Sequence, residues 1–260
     1  MDATRSGLVE GVTAPVVVQE RRRPAAGFLE PRGWLDRNFY FVMTVLCSAI
    51  LIWGFGHTVP DVLLHPVVPR PRILWLHAAV FSGWLVFAML QTGLVRLRQV
   101  KVHRLLGWFG VGLAVLMVVV GTRTALQLGR FDVEVLHQQG ADTFEVVSFA
   151  DMILFPLLVG LGIAWRKKPE LHRRLFLLAT VELTGAGFGR IDWVAAHNLM
   201  FFCADAVMCL GVLRDLLVSG RVHRVYKVAI PLIVVWHVGV SWMYLRPPVW
   251  WARLAHAWMG

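Results

Sequence analysis

Long apolar runs broken by short basic or polar connectors dominate the chain from residue 39 onward. Runs close to the ~20 residues that a helix needs to cross a hydrocarbon core fall at 39–56, 73–95, 105–127, 146–165, 175–193, 197–217 and 228–245. The pattern predicts an all-α, polytopic membrane bundle of about seven transmembrane helices. The fifth and sixth runs are separated only by Arg190 to Asn198, a connection that includes Asp192, so these two predict a tight hairpin. Three divisions follow: a basic, flexible cytoplasmic tail over 1–38, the bundle over 39–245, and a terminal segment over 246–260. That last segment carries Trp250, Trp251, Trp258 and Arg253, which suits the outer headgroup region.

Placing the amino terminus in the cytoplasm puts 19 of the 26 Lys and Arg residues on that side. They lie in the tail, around Arg96–Arg104, around Arg166–Arg174, and around Arg214–Lys227. The alternation holds through the loops, and the positive-inside rule then puts the carboxyl terminus outside. This distribution changes the meaning of the formal charge of +10. A nucleic-acid reader gathers its basic residues on a soluble face, so nucleic acid is excluded as a partner and the lipid bilayer takes its place. Composition agrees, with 57% hydrophobic and 16% charged residues and a positive mean hydropathy. Cys47, Cys203 and Cys209 lie in apolar segments without metal-motif spacing.

The candidate chemistry is a layer of ionisable residues inside the apolar runs. At ~1.5 Å per residue from each midpoint, His77, Arg123 and Asp151 fall in the outer half, with Glu182, Asp205 and His237 nearer the centre. Each comes from a different run. A charge at such depth costs at least ~2.5 kcal/mol on insertion scales, so these groups should face the interior and satisfy one another. With both imidazoles neutral, three carboxylates and one Arg leave a formal −2 that a divalent cation would cancel. Carboxylate and imidazole donors suit iron, zinc or manganese. The metal ligands expected are His77, Asp151, Glu182, Asp205 and His237, with Arg123 and Glu182 as catalytic residues. Arg123 would position an anionic group. A self-satisfied polar network or proton relay is the competing reading. His197 and Asn198 could extend the layer, and Gly185, Gly187 and Gly189 would permit a close helix contact or a break.

A second pattern recurs at three inner junctions: His103-Arg104, His172-Arg173 and His223-Arg224 each lead into a helix. Headgroup snorkelling explains them structurally. The functional reading makes His103, His172 and His223 a cofactor-binding set for a quinone headgroup, a haem propionate or a second metal. On the second run, His77, Trp84 and Gln91 recur every seven residues and mark one interior face.

The stretch from His77 through Trp84 and Gln91 to His103-Arg104-Leu105-Leu106-Gly107, with Pro169 to Leu175, resembles bacterial multi-pass membrane proteins with "H-R-x-L-G" junctions. More distantly it is similar to cytochrome oxidase assembly proteins and to transmembrane di-haem b-type cytochromes. That resemblance implies redox or metal chemistry, haem b as an alternative cofactor, and a bacterial inner membrane. His77 and His237 differ in depth by roughly 10 Å, which departs from the di-haem pattern and favours a non-haem ion. The expectation is therefore a membrane metalloprotein, an oxidoreductase acting on a lipophilic substrate or quinone. The alternatives are a proton-coupled transporter using the buried carboxylates and a non-catalytic accessory subunit with protein partners.

Overall fold

The computed structural model describes residues 33–138 and 140–259, and over them the chain is helical, with no strand. Ten α-helices run in order: α1 Trp34–Gly56, α2 Ile73–Arg96, α3 Val100–Glu134, α4 Ala141–Ala164, α5 Pro169–Glu182, α6 Thr184–Phe188, α7 Asp192–Ala196, α8 Met200–Ser219, α9 Arg224–Leu245 and α10 Val249–Met259. Five stretches are long and apolar enough to cross a membrane: α1, α2, α3, Thr143–Ala164 within α4, and α9. The protein is thus a helical membrane bundle. The segments α5–α6 and α8 are shorter or carry more charge, and they bring Glu182 and Asp205 into the bundle.

Local sequence explains most boundaries. Pro169 sits in the first turn of α5, where its missing N–H costs nothing. Gly220 closes α8 in a left-handed conformation, φ +65°, and the His223 side chain caps α9 by accepting from Val225 N. Pro156 and Pro231 lie inside α4 and α9, where each removes one intrahelical donor. The fifth run differs from expectation. It begins at Pro169 rather than 175 and ends at Phe188, with a one-residue interruption at Leu183. The chain then reverses through the short α7, and α8 starts at Met200. The expected tail boundary also moves: α1 starts at Trp34 because Asp36, Asn38 and Phe39 pack into the bundle. The rest of the tail, residues 1–32, lies outside the described residues.

Helices adjacent in sequence pack as antiparallel pairs, α2 on α3, α3 on α4 and α4 on α5, while α1 lies against α2 and α6. The α1–α6 crossing is close because two glycines meet, and a Cβ on Gly54 would fall inside the Gly187 carbonyl. The core contains Trp84, Met117, Phe155, Leu178, Met208 and Tyr226. Trp84 sets its ring edge-on to Phe155 at 5.0 Å. The stripe on α2 accordingly faces inward, with Trp84 and Gln91 buried and His77 half-buried. The terminal helix α10 packs on α3 and α4, burying Trp251 and Ala255 and leaving Trp250 and Trp258 exposed.

Candidate functional site

Four helices, α4, α5, α8 and α9, surround the buried polar centre. His237 lies near the middle of α9 and is 2% exposed. Its Nδ1 is 2.9 Å from Asp205 Oδ1 on α8, and its Nε2 is 3.0 Å from Glu182 Oε1 on α5. One imidazole therefore bridges two carboxylates delivered by two other helices. Phe201, one turn before Asp205 on α8, stacks on the ring at 4.4 Å between centroids, with 16° between planes. This fixes the ring orientation while both nitrogens stay on their partners.

The two ends of the triad differ. The Glu182 side chain is 1% exposed and that of Asp205 is 16% exposed, so Asp205 is the less enclosed end. Glu182 Oε2 is buried with no partner in the structure. Asp151, on α4, lies within electrostatic reach of both Glu182 and His237. Glu182 is also the last residue of α5, immediately before the interruption at Leu183. Further along the same helices, toward the carboxyl-terminal end of α9, is a small cleft of about 80 Å³ lined by Phe144, Gly189, Ala195, Asn198, Met200 and Tyr244. Tyr244 is seven residues from His237 on α9, hence on nearly the same face and about 10 Å further along the helix.

Of the metal ligands expected, Glu182, Asp205 and His237 touch, Asp151 adjoins them, and His77 does not join. The His77 ring stacks on Phe81 of its own helix at 4.0 Å. Arg123 is exposed on α3, off the face that buries Val120, Gly121, Thr124 and Ala125, so it takes no part in the buried centre. His197 is exposed and bonds its own turn through Trp193 O. The carboxylates stand at opposite edges of the imidazole instead of converging, and among the described residues no three His, Cys, Asp or Glu side chains form an ion-holding group. Each imidazole nitrogen thus meets a carboxylate oxygen.

The three His-Arg junctions divide. His103 and His172 approach each other, with ring centroids 6.1 Å apart and perpendicular planes. His172 Nδ1 lies 2.9 Å from Gly162 O, and with its amide nitrogen toward α3, Gln91 donates to His103 Nδ1 at 2.8 Å. His223 stands apart. It caps α9, and its backbone N–H donates to Asp215 Oδ2 at 3.0 Å. Burial, reinforced by the nearby Arg174 charge, holds the His223 imidazole below its usual pKa.

Beside His223 is a buried ion lattice that positive-inside reasoning passes over. Asp215 accepts from Arg174 Nη2 and Nε at 2.6 and 3.2 Å and from Arg214 Nη1 at 2.6 Å. Arg174 also donates to Glu170 (2.6 Å), as does Arg173 (2.6 Å), and Arg214 pairs with Asp36. Three guanidiniums meet three carboxylates, tying α1, α5 and α8 together at the start of α9. The available signal was the run of acids at the helix ends, Glu170 and Asp215, beside the basic residues. No protein-family model matches the chain, and neither a curated protein nor a solved structure matches it.

Proposed function

We propose that the chain is a proton-coupled membrane carrier whose protonation centre is the Asp205–His237–Glu182 triad. The observation that supports this best is the His237 ring itself, hydrogen-bonded at both nitrogens to carboxylates from two different helices. A charged imidazole between two carboxylates is favoured while the helices stay together. If α8 or α5 moves away, one partner is lost and the proton becomes easier to release. Asp205, at the more exposed end, exchanges the proton with solvent, His237 passes it inward, and Glu182 with Asp151 receives it. The interruption after Glu182 and the prolines in α4 and α9 give these helices places to bend, as in carriers with discontinuous helices.

In this reading α5–α6 and α8 join the five apolar stretches as crossings, making seven, with the amino-terminal side cytoplasmic and the protein in a bacterial inner membrane. The ion lattice then lies at the inner end and the cleft at the outer end. A metal-dependent redox role uses the same residues and requires His237 to leave one carboxylate. Stoichiometric iron, zinc or manganese in purified protein, lost on Asp205→Ala, would replace the carrier reading.

The test is proton movement in proteoliposomes carrying an internal pH dye, with the membrane potential clamped and a pH step imposed. Wild type should carry protons faster than empty vesicles, and His237→Gln and Asp205→Asn should reduce this to the empty-vesicle rate. Equal rates for wild type and His237→Gln would overturn the proposal.

A further inference from the structure

Two short turns at one end of the bundle carry cations that the ion lattice leaves out. α2 gives way to α3 through Leu97, Arg98 and Gln99, with Lys101 and Arg104 at the start of α3, and α4 gives way to α5 through Trp165 to Lys168. Helix packing sets these turns side by side. His103 and His172 hold their ring centroids 6.1 Å apart, and Arg166 reaches from the end of α4 to lie over the Trp108 ring of α3, 5.8 Å from its centroid. Arg98, Lys101, Arg104, Arg166, Lys167 and Lys168 are all exposed. Among the described residues none of the six has a carboxylate within salt-bridge distance. Glu170, the acid nearest in sequence, is taken by Arg173 and Arg174.

An independent observation says which anion suits this patch. Leu105, Trp108 and Phe109 follow Lys101 and Arg104 on α3, share one helical face by their spacing, and are largely exposed. Because α3 is long and apolar enough to cross a membrane, that exposed face meets acyl chains, with Trp at the headgroup level. Cations in the headgroup layer beside an aromatic, apolar wall match the two halves of an acidic phospholipid. A free anion would use only the first half. α3 and α5 both begin here, so the positive ends of two helix dipoles add to the field.

We propose that the α2–α3 and α4–α5 turns together form a docking surface for an acidic glycerophospholipid. Its phosphate is flanked by Lys101 and Arg104 on one side and by Arg166, Lys167 and Lys168 on the other, and its chains lie along Leu105, Trp108 and Phe109. Arg offers paired donors to the phosphate oxygens, and Lys adds a point charge. The bound headgroup ties the α2–α3 hairpin to the α4–α5 hairpin, which carries Asp151 and Glu182. In the orientation of the carrier reading this lipid belongs to the inner leaflet; its binding does not depend on that reading.

The test is native mass spectrometry of the full chain in mild detergent, titrated with phosphatidylglycerol and, separately, with phosphatidylethanolamine. Wild type should retain phosphatidylglycerol saturably and at lower concentration than phosphatidylethanolamine, and an excess of inorganic phosphate should not displace it. Each cation near an acidic headgroup contributes about a fivefold factor, so Lys167→Gln/Lys168→Gln and Lys101→Gln/Arg104→Gln should each weaken retention by about ten- to thirtyfold. Arg221→Gln/Arg224→Gln removes as much charge from the α8–α9 turn and should bind as wild type. Having site variants on two separate turns keeps the test readable if one of them fails to fold. Equal retention of the two lipids by wild type, displacement by inorganic phosphate, or unchanged affinity in either folded site variant would overturn the surface. So would an equal loss in Arg221→Gln/Arg224→Gln, which would reduce the effect to overall charge.

Discussion

Removing the Asp215 carboxylate should be among the most destabilising single changes in the protein. Asp215 accepts four hydrogen bonds, two from Arg174, one from Arg214 and one from the His223 N–H. The side chains of Arg174, Arg214 and Asp215 are 4%, 3% and 1% exposed. In Asp215→Ala two buried guanidiniums keep only Glu170, which is half exposed, and Asp36. Breaking a buried ion pair from one side costs ~3–5 kcal/mol, roughly a hundred- to several-thousand-fold in the folding equilibrium. Glu170→Gln removes a carboxylate that water already screens and should cost less than ~1 kcal/mol. Denaturant titration in mixed micelles, followed by tryptophan fluorescence, reads both variants. The reasoning fails if Asp215→Ala lies within ~1 kcal/mol of wild type, or if Glu170→Gln costs as much.

The α1–α6 crossing is tested by Gly54→Ala, whose Cβ must displace the Gly187 backbone; overpacking of this kind costs ~1–3 kcal/mol. Gly56→Ala meets open space and should unfold as wild type does. His223 gives a pH prediction. Its folded-state pKa is depressed below 6.5 by burial and by Arg174, so the unfolded chain binds the proton more readily, and stability is lost as pH falls below about 6.5. Protonation also removes the lone pair that accepts from Val225 N. Thermal unfolding in detergent at pH 7.5 and pH 5.5 should show a smaller acid loss for His223→Asn, which keeps a capping acceptor, than for wild type. An equal loss would dissociate His223 from the effect.

The helices were legible because apolar windows of membrane length leave little other choice, and α1 to α4 and α9 coincide closely with the runs read from sequence. Glu182, Asp205 and His237 were legible for the same reason inverted: a charge inside such a window must find a partner. Their pairing was not legible, because it depends on which faces of α5, α8 and α9 meet. Arg123 shows the limit of counting depth alone. It is deep along α3, but the small residues Gly121, Thr124 and Ala125 mark the packing face and leave Arg123 outside it. Arg174 and Arg214 were counted as topology signals because each has a partner in a distant segment, Asp215 lying 41 positions from Arg174 and Asp36 178 positions from Arg214. Arg190 was read only as part of a loop, since only the glycine crossing reveals how close to α1 it is held.

The central claim is that His237 holds an exchangeable proton between Asp205 and Glu182. The direct measurement is infrared difference spectroscopy of the protein in lipid across a pH step, following carboxyl and imidazole bands in wild type, Glu182→Gln, Asp205→Asn and His237→Gln. If the claim holds, the wild-type difference spectrum contains coupled carboxyl and imidazole bands, each single variant alters both, and His237→Gln abolishes the imidazole component. Difference spectra that are the same in wild type and all three variants would show that no proton moves at the triad.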